Sequence, residues 1–577
     1  MELKMIIGLT IGHDASVSIS DSKGNILFAA GEERFSRVKG HMGAPYKALE
    51  AGVNYLNLDR KELSNIPHIV AGAINSSSIE WFYYLLLSKS YQAKFDIFNS
   101  SLPPGLLQEI SNKMKMMSGS TEEKFKALLE QNLEYKINNL VSINHHDAHA
   151  ACAFWASNFK ESLVLTLDGS GDGESGTLRM LKSSGEQKIL ERIPDKYSLG
   201  HLYSEVTKRY GFKESRHEGK ITGLAAFSTT DPNLIKFDNL FKRNFHCGFS
   251  PKYRLDFRFR NPKNLKSFDS RLAMRRAVER SEKKCLKFPD LASSIQNYLE
   301  KSVLELIRQH KDSTQLKISL AGGVFSNVLL NGSIREEFPN DEFYVFPNMG
   351  DGGLSSGAIW EYLRLSGRPF ASNAEHAMYL GTDLEPVPKN WVSIERTPKI
   401  LAQEILDQKI IGIMSGRMEF GPRALCHRSI VASPTDSSIN HDLNLRLSRT
   451  EFMPFAPIVR DVDFDKVFCD SNQKSITNRT NYNFMTETCF VRQEYRTKIQ
   501  AVVHKDGTAR PQLLRRHDNE FLYETMSVLA KDHDLPAIIN TSFNAHEEPI
   551  IENIHQAKHA LDSKRIDKLY VNNYEVF

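Results

Sequence analysis

The chain has 577 residues, too many for a single core, so two or three domains are expected. Apolar residues make up 41% and charged residues 25%, the balance of an ordinary soluble protein. The net charge of +4 singles out no partner, and with no run of 18 apolar residues no membrane span is expected.

The first apolar stretch, Met5 to Ile11, is too short and too poorly flanked for a secretory signal and reads as a buried strand. "KMIIGLTIG", "VSISD" and "ILFAAGEE" are strands separated by the turns "HDAS" and "SKGN". His13 and Asp14 close the first strand. Such a pair either positions a phosphate or polarises a hydroxyl, or Asp14 merely caps the turn. Residues from about 45 to 140 read as a helical insert with an apolar patch from Trp81 to Leu87.

In "NHHDAHAACAFWA", His145 and His149 share one face of a predicted helix, the spacing of a bidentate metal clamp, while His146 points elsewhere. The alternative is a capped helix start with solvated histidines. From residue 161 the strand–turn pattern recurs around the glycine-rich "LDGSGDG", which predicts a duplicated α/β domain. In such folds a nucleotide lies between the halves, against glycine turns whose N–H groups approach phosphate closely. Asp168 sits in that turn. Two histidines with one or two aspartates suit Fe(II) or another first-row ion better than Ca2+.

Residues 236–287 carry 16 Lys and Arg against 5 Asp and Glu, interleaved with aromatics such as Phe249, Phe257 and Phe259. The segment either holds phosphates and stacks bases, or is a surface insertion with its aromatics turned inward. "KISLAGGVFSN" reads as a strand, a Gly322–Gly323 turn and a helix from near Ser326. "YVFPNMGDGGLSSGAIWEYL" repeats the scheme, with Asp351 as a metal ligand or an ordinary turn residue. Turn formers crowd residues 366–392, so the boundary is placed there, with domains 1–385 and 386–577.

The second domain is read as α/β and is rich in phosphate-binding chemistry. Arg417, Arg423 and Arg428 surround a glycine turn, Arg446 and Arg449 follow, then His504, Lys505 and Arg510, and finally Asn540, Ser542 and Asn544. Converging guanidinium groups hold phosphates bidentately, and the absence of a Walker A motif excludes a P-loop NTPase. The six cysteines show no metal-type spacing and are expected to be reduced thiols in a cytoplasmic protein.

Nine segments, "GHDAS", "GEERFSR", "NHHDAHA", "LDGSGDG", "GKITGLAA", "AGGVFSN", "EFGPRAL", "RTEFMPFAP" and "NTSFN…EEPI", occur in that order. Together they resemble the NodU/CmcH family of O-carbamoyltransferases, over essentially the whole chain. The resemblance implies an N-terminal Kae1-like domain of the duplicated actin/hexokinase/Hsp70 type and a C-terminal YrdC-like α/β domain. It also implies that ATP and carbamoyl phosphate form carbamoyladenylate in the second domain, and that the first passes the carbamoyl group to a hydroxyl.

Carried over by motif, His145, His149, Asp168 and Asp351 are the ligands of Fe(II) or another divalent metal, and His13, with Asp14, is catalytic. Gly169, Gly171, Lys220, Gly322, Gly323 and Asn327 are expected at a nucleotide in the first domain. Arg417, Arg423, Arg449, His504, Lys505, Arg510, Asn540, Ser542 and Asn544 are expected at ATP, its Mg2+ and carbamoyl phosphate in the second. Three positions depart from the family pattern: Ser448 stands where a lysine is common, Met453 where an arginine is, and Cys426 where glycine is usual.

Two other readings share these folds, a threonylcarbamoyl-type tRNA modification enzyme and a non-catalytic nucleotide-binding protein. "EERFSR" and "GPRAL" favour carbamoyl transfer over the first, and the intact metal set argues against the second. The acceptor is expected to be either a small-molecule alcohol, such as a natural product or sugar, or a hydroxymethylated pyrimidine in DNA or a nucleotide. No membrane partner is expected, and a homodimer is allowed.

Overall fold

The computed structural model describes residues 5–72, 121–229, 246–250, 254–258, 288–311, 316–367, 378–450 and 452–577, with isolated positions between 274 and 282. The apolar start forms β1 (Met5–Thr10), which pairs antiparallel with β2 (Ser16–Asp21), and β2 with β3 (Ile26–Gly31). α1 (Glu32–Ser36) and α2 (Tyr46–Tyr55) follow. β4 (His68–Ala71) and β5 (Leu140–Ile143) add in parallel on the far side of β1, to give the order β3-β2-β1-β4-β5.

The stretch from 45 to 140 is therefore more than a helical insert. α2 and α3 (Thr121–Leu133) are helices, but β4 and β5 lie within or at the end of it. Each strand is four residues long, too short for a period-two pattern to show in sequence. The patch Trp81–Leu87 falls outside the described residues.

After α4 (His145–Trp155), a second meander forms from β6 (Glu161–Gly171), β7 (Glu174–Lys182) and β8 (Gln187–Pro194). α5 (Leu199–Arg209) and α6 (Glu218–Ala225) follow. Within the basic segment, β9 (His246–Ser250) and β10 (Arg254–Arg258) make a separate hairpin; most of that segment lies outside the described residues. α7 (Asp290–His310) leads to β11 (Lys317–Ala321), α8 (Val328–Glu337), β12 (Glu342–Val345) and α9 (Leu354–Leu365).

β11 and β12 join in parallel, so the second sheet runs β12-β11-β6-β7-β8. Read from its other edge it repeats the first sheet strand for strand, and the expected duplication is visible in the topology. The helix placed near Ser326 starts at Val328 instead, after one 3-10 turn, where the Asn327 side chain accepts from Leu330 N.

α4 and α9 form the layer between the sheets. α4 packs on β6 and β11, and α9 packs back on β1, β2 and β4, so each helix covers the other half's sheet. Small residues permit this. A Cβ on Gly357 of α9 would stand 2.1 Å from Ala148 O of α4, and one on Gly8 of β1 would stand 2.0 Å from Ser355 O. Ala148, Ala150, Ala151 and Ala153 are buried in the same layer.

The second domain is an eight-stranded mixed sheet. Its strands are β13 (Ser393–Glu395), β14 (Ile411–Met414), β15 (Arg428–Ala432), β16 (Ala456–Arg460), β20 (Gln512–Leu514), β21 (Ala537–Ser542), β22 (Lys568–Val571) and β23 (Tyr574–Val576). They run in the order β13-β23-β22-β14-β15-β21-β16-β20, while β17 (Phe468–Cys469), β18 (Cys489–Val491) and β19 (Thr508–Ala509) form a small separate sheet. Fully buried Ile411, Val431, Ile458, Ile538 and Leu569 centre its core.

The seam between the domains is built largely by the motif residues. Arg34 Nη2 donates to Gly421 O (2.7 Å), and Arg37 donates to Pro549 O (2.9 Å) and Ile550 O (2.8 Å). Lys220 Nζ donates to Thr450 Oγ1 (2.8 Å), and Arg335 pairs with buried Glu487. No helix of the described residues is long and apolar enough to cross a membrane, and the described cysteines, Cys152, Cys426, Cys469 and Cys489, are buried free thiols.

Candidate active site

The duplicated topology brings strand ends and helix starts to one cleft between the halves, where open α/β sheets hold ligands. β6 carries Asp168 in its C-terminal part, α4 begins at His145, and the loop after β12 supplies Asp351. The Asn144 side chain caps α4 by accepting from His146 N (3.0 Å) and Asp147 N (3.2 Å), which sets His145 on the first turn. His149 follows one turn later on the same face.

Nε2 of His145 lies 3.4 Å from Asp168 Oδ2 and 3.6 Å from Asp351 Oδ1; Nε2 of His149 lies 3.2 and 3.5 Å from the same oxygens. All four donor atoms fall within 4.8 Å of one another. Donors about 2.0–2.2 Å from one ion stand roughly 3.0–3.6 Å apart, so this set fits a first-row divalent ion. Both histidines are buried, and each aspartate is partly open.

The electrostatics show two carboxylates competing for one place. Burial pushes Asp168 up, but hydrogen bonds from His145 and His149 outweigh it and hold the carboxyl well below the usual range. Burial and then the Asp168 charge push Asp351 up. Burial lowers His145, but Asp351 and Asp168 raise it on balance to about 9. A divalent cation would relieve this crowding.

His146 turns to the sheet, where its Nδ1 meets Thr166 Oγ1 (3.0 Å) and its Nε2 meets Glu174 O (3.1 Å). Gly171 is required because a Cβ there would stand 2.2 Å from the His145 ring. His13 Nδ1 pairs with Asp14 Oδ2 at 2.8 Å, and the pair is half-exposed at the end of β1. Burial lowers His13, but the Asp14 charge and hydrogen bond, then Asp351, raise it to about 9.

In the second domain, Arg423 has a buried Nε with no hydrogen-bond partner among the described residues, and its Nη2 reaches only Ser326 O, at 3.4 Å. Burial and then the Arg510 charge disfavour its own charge. His504 bonds Thr508 Oγ1 through Nδ1 (3.0 Å), and burial, with Arg510, lowers it to about 4 against the pull of Asp506. Its Nε2 is buried without a partner among the described residues. Two partly buried cations beside a buried neutral imidazole are the donor set that could cradle an anion.

Residues 5–360 match the family model Carbamoyltransferase N-terminus, and residues 402–577 match Carbamoyltransferase C-terminus. The chain belongs to the carbamoyltransferase family. It is 30% identical to nodulation protein NolNO of Sinorhizobium fredii over 98% of this chain and 79% of that one. It is 23% identical to nodulation protein U of Bradyrhizobium diazoefficiens over 94% and 92%. It is 28% identical to 3'-hydroxymethylcephem-O-carbamoyltransferase of Amycolatopsis lactamdurans over 40% and 43%.

The structure gives several expected ligand-binding residues of this carbamoyltransferase other work. Arg417 is committed to the carbonyls of Gly381 (3.0 Å), Leu27 (2.8 Å) and Leu380 (2.6 Å), which pins the seam. Arg449 binds Thr541 Oγ1, Ser542 O and Oγ, and Asn544 O and Oδ1, all within 3.0 Å, so Arg449, Ser542 and Asn544 form one closed loop network. Asn540 Nδ2 ties β21 to Ala424 O (3.0 Å) and Gln512 Oε1 (2.6 Å). Lys505 Nζ lies over the Phe227 ring of the first domain at 4.9 Å.

In the first domain, Lys220 bridges to Thr450, and Asn327 is a helix cap bonded to Gln296. A Cβ on Gly322 would stand 2.1 Å from Leu167 O, on Gly169 it would stand 3.3 Å from His201 Nε2, and on Gly323 it would stand 2.9 Å from Asp168 Oδ1. Gly350 and Gly173, which the sequence did not single out, have nothing within 4 Å of that position.

Residues missed in the sequence stand out by burial. His41 is buried, burial and then Lys47 lower it to about 4, and its Nε2 has no partner among the described residues. It lies in the loop that brackets His13, with Ala15 N donating to His41 O (3.1 Å). Its only sequence signal was the run "GEERFSRVKGH". Buried Glu419 accepts from the N–H groups of Leu425, His427 and Arg428 and so shapes the loop that carries Arg423. Cys426 adopts φ 75°, a left-handed conformation, which accounts for the glycine usual there. Met453 N lies 3.0 Å from where a Gly223 Cβ would be, which places Met453 at the seam.

Proposed function

We propose that this carbamoyltransferase forms carbamoyladenylate from carbamoyl phosphate and ATP in its second, YrdC-like domain, and transfers the carbamoyl group to a hydroxyl in its first, Kae1-like domain. The observation that carries the reading is one shared turn. The 3-10 turn Gly323–Ser326 abuts Asp168 at its first residue and meets Arg423 of the second domain at its last. Four 3-10 residues rise only about 8 Å, so the anion cradle and the four-donor cluster are close neighbours.

In the activation step one water enters: carbamoyl phosphate gives carbamate and phosphate, and a carbamate oxygen attacks the α-phosphorus of ATP and expels pyrophosphate. Arg423, Arg510 and His504 would bind the phosphates. The position of the cradle between the two domains would limit access of further water to the mixed anhydride. In the transfer step His13 Nε2 takes the acceptor's hydroxyl proton, the oxygen attacks the carbonyl carbon, and AMP leaves with the electron pair. Asp14 holds the His13 Nδ1 proton and so presents Nε2 to the acceptor. A divalent ion held by His145, His149, Asp168 and Asp351 would supply Lewis-acid stabilisation of the leaving phosphate and the attacked carbonyl.

The acceptor is proposed to be a primary alcohol of the hydroxymethyl class, as in the name of the hydroxymethylcephem-O-carbamoyltransferase relative. The direct test supplies ATP and carbamoyl phosphate, measures pyrophosphate and AMP, and screens hydroxymethyl acceptors, including hydroxymethylcytosine DNA. Failure of pyrophosphate release to depend on carbamoyl phosphate overturns the reading. If DNA is the acceptor, binding should weaken with salt at a log–log slope of roughly −0.9 per neutralised phosphate, whereas a small alcohol predicts salt-insensitive turnover.

A pH prediction follows from His13. Burial lowers its pKa, but Asp14 outweighs this and raises it to about 9, so the free base accumulates only as pH rises through about 9. The ascending limb of single-turnover transfer is expected near that pH. Asp14→Asn removes the interaction that favours the imidazolium, so the limb should move to lower pH. A limb that does not move would remove His13 as the base.

A further inference from the structure

We propose that Glu547, a second-domain residue, is a positioning residue for His13 in the first domain. The proposal rests on the two-step reaction above. Glu547 sits in a left-handed conformation (φ 61°) in the strap that follows β21, a few residues beyond Ser542 and Asn544. Its Oε1 accepts from His217 Nε2 (2.9 Å) and its Oε2 from Lys213 Nζ (2.7 Å), with Arg216 Nη1 at 3.8 Å. His217, Lys213 and Arg216 all lie in the first domain, just before α6.

Arg216 passes the contact on. Its Nη2 donates to Lys39 O (2.7 Å), and a Cβ on Gly40 (φ 59°) would stand 2.9 Å from the same nitrogen, so the guanidinium is moulded to this loop. The loop brackets His13. Gly12 and Gly43 exchange backbone hydrogen bonds of 3.0 and 3.1 Å, and Ala15 N donates to His41 O (3.1 Å). Arg37, at the loop's start, donates to Pro549 and Ile550 of the same strap. The strap thus joins the Arg449–Ser542 network at one end to the His13 loop at the other.

Glu547 also has His546 beside it, and the donor atoms of His217, His546 and Glu547 lie within 4.8 Å of one another. This is not the geometry of a metal site. His217 Nδ1 accepts from Lys213 N (3.2 Å), so the neutral ring carries its proton on Nε2 and donates it to Glu547. An ammonium already occupies the other carboxylate oxygen. Burial pushes Glu547 up, but Lys213 and His217 outweigh it and hold the carboxyl near 2, so the latch stays ionised at working pH.

The test separates alcohol from amine chemistry. An alcohol needs a base to lose its proton during attack, whereas hydroxylamine attacks the carbamoyl carbon through a neutral nitrogen, expels AMP and releases its N–H proton to water afterwards, so it needs no positioned base. In the full chain, Glu547→Gln is expected to keep pyrophosphate release and hydroxylamine-dependent AMP release within about threefold of the parent. AMP release dependent on ethylene glycol, the alcohol probe, should fall at least tenfold. Arg216→Lys, which keeps the charge but loses the grip on Lys39 O, should show the same split.

Unchanged release with the alcohol, or a parallel fall with both nucleophiles, overturns the proposal. If the parent releases no pyrophosphate, the two-step reading fails, and amide hydrogen exchange then decides the latch. Exchange across residues 36–43 at least tenfold faster in Glu547→Gln supports it, and unchanged exchange overturns it.

Discussion

His145→Ala and His149→Ala are each expected to lower carbamoyl transfer on the order of 1000-fold, about 4 kcal/mol in barrier, while pyrophosphate release stays near the parent level. The separation follows from position. Both rings project from α4 into the first-domain cleft, with Nε2 atoms 3.2–3.6 Å from Asp168 and Asp351. Loss of either ring leaves two partly open carboxylates facing each other with one imidazole, and Asp351 is already pushed up by desolvation and Asp168. One of them is then expected to take up a proton and cease to be a ligand. Bound metal and transfer should fall together, and normal transfer by a metal-stripped double variant would refute the assignment. Removal of metal from the parent with a chelator should give the same separation of the two half-reactions, reversed on re-addition of a first-row divalent ion.

Arg423→Ala is expected to slow pyrophosphate release about 100-fold, while supplied carbamoyladenylate is still transferred. Arg423 is partly buried beside a second cation and, among the described residues, makes one long hydrogen bond, to Ser326 O. It is a donor held ready for an anion rather than one that braces the fold. Its removal relieves like-charge repulsion, so the unliganded variant should melt no lower than the parent. Full ATP-dependent activity, or a large loss of thermal stability, would show that the cradle has been misread.

The four-donor cluster was legible because its signals are local. A four-residue spacing puts two histidines on one helix face whatever surrounds the helix, and glycine-rich turns after apolar runs mark strand ends. The duplication was legible for the same reason, since each half opens on three strands separated by short turns. β4 and β5 were not, because strands of four residues are too short to show a period, and their identity as strands depends on β1 lying alongside β4 and on β4 lying alongside β5.

The arginines were the least legible. Arg417, Arg423 and Arg449 look alike in sequence as basic residues near turns. Arg417 ended on three backbone carbonyls, Arg449 inside a closed loop network, and Arg423 beside Arg510 with its Nε unpartnered among the described residues. An arginine offers five donors, and which of them remain for a ligand depends on carbonyls brought near by distant segments, such as Leu27 for Arg417.

By itself, the sequence determined a two-domain α/β carbamoyltransferase, the order of its motifs, and the residues at strand ends and on one helix face that form the four-donor cluster. These follow from backbone periodicity and turn chemistry, which act over a few residues. The tertiary structure alone decided which basic residues are spent on backbone carbonyls, which motifs weld the seam, and that Glu547 reaches toward the loop around His13. Those outcomes depend on hydrogen bonds between residues hundreds of positions apart, and no local pattern encodes such partners.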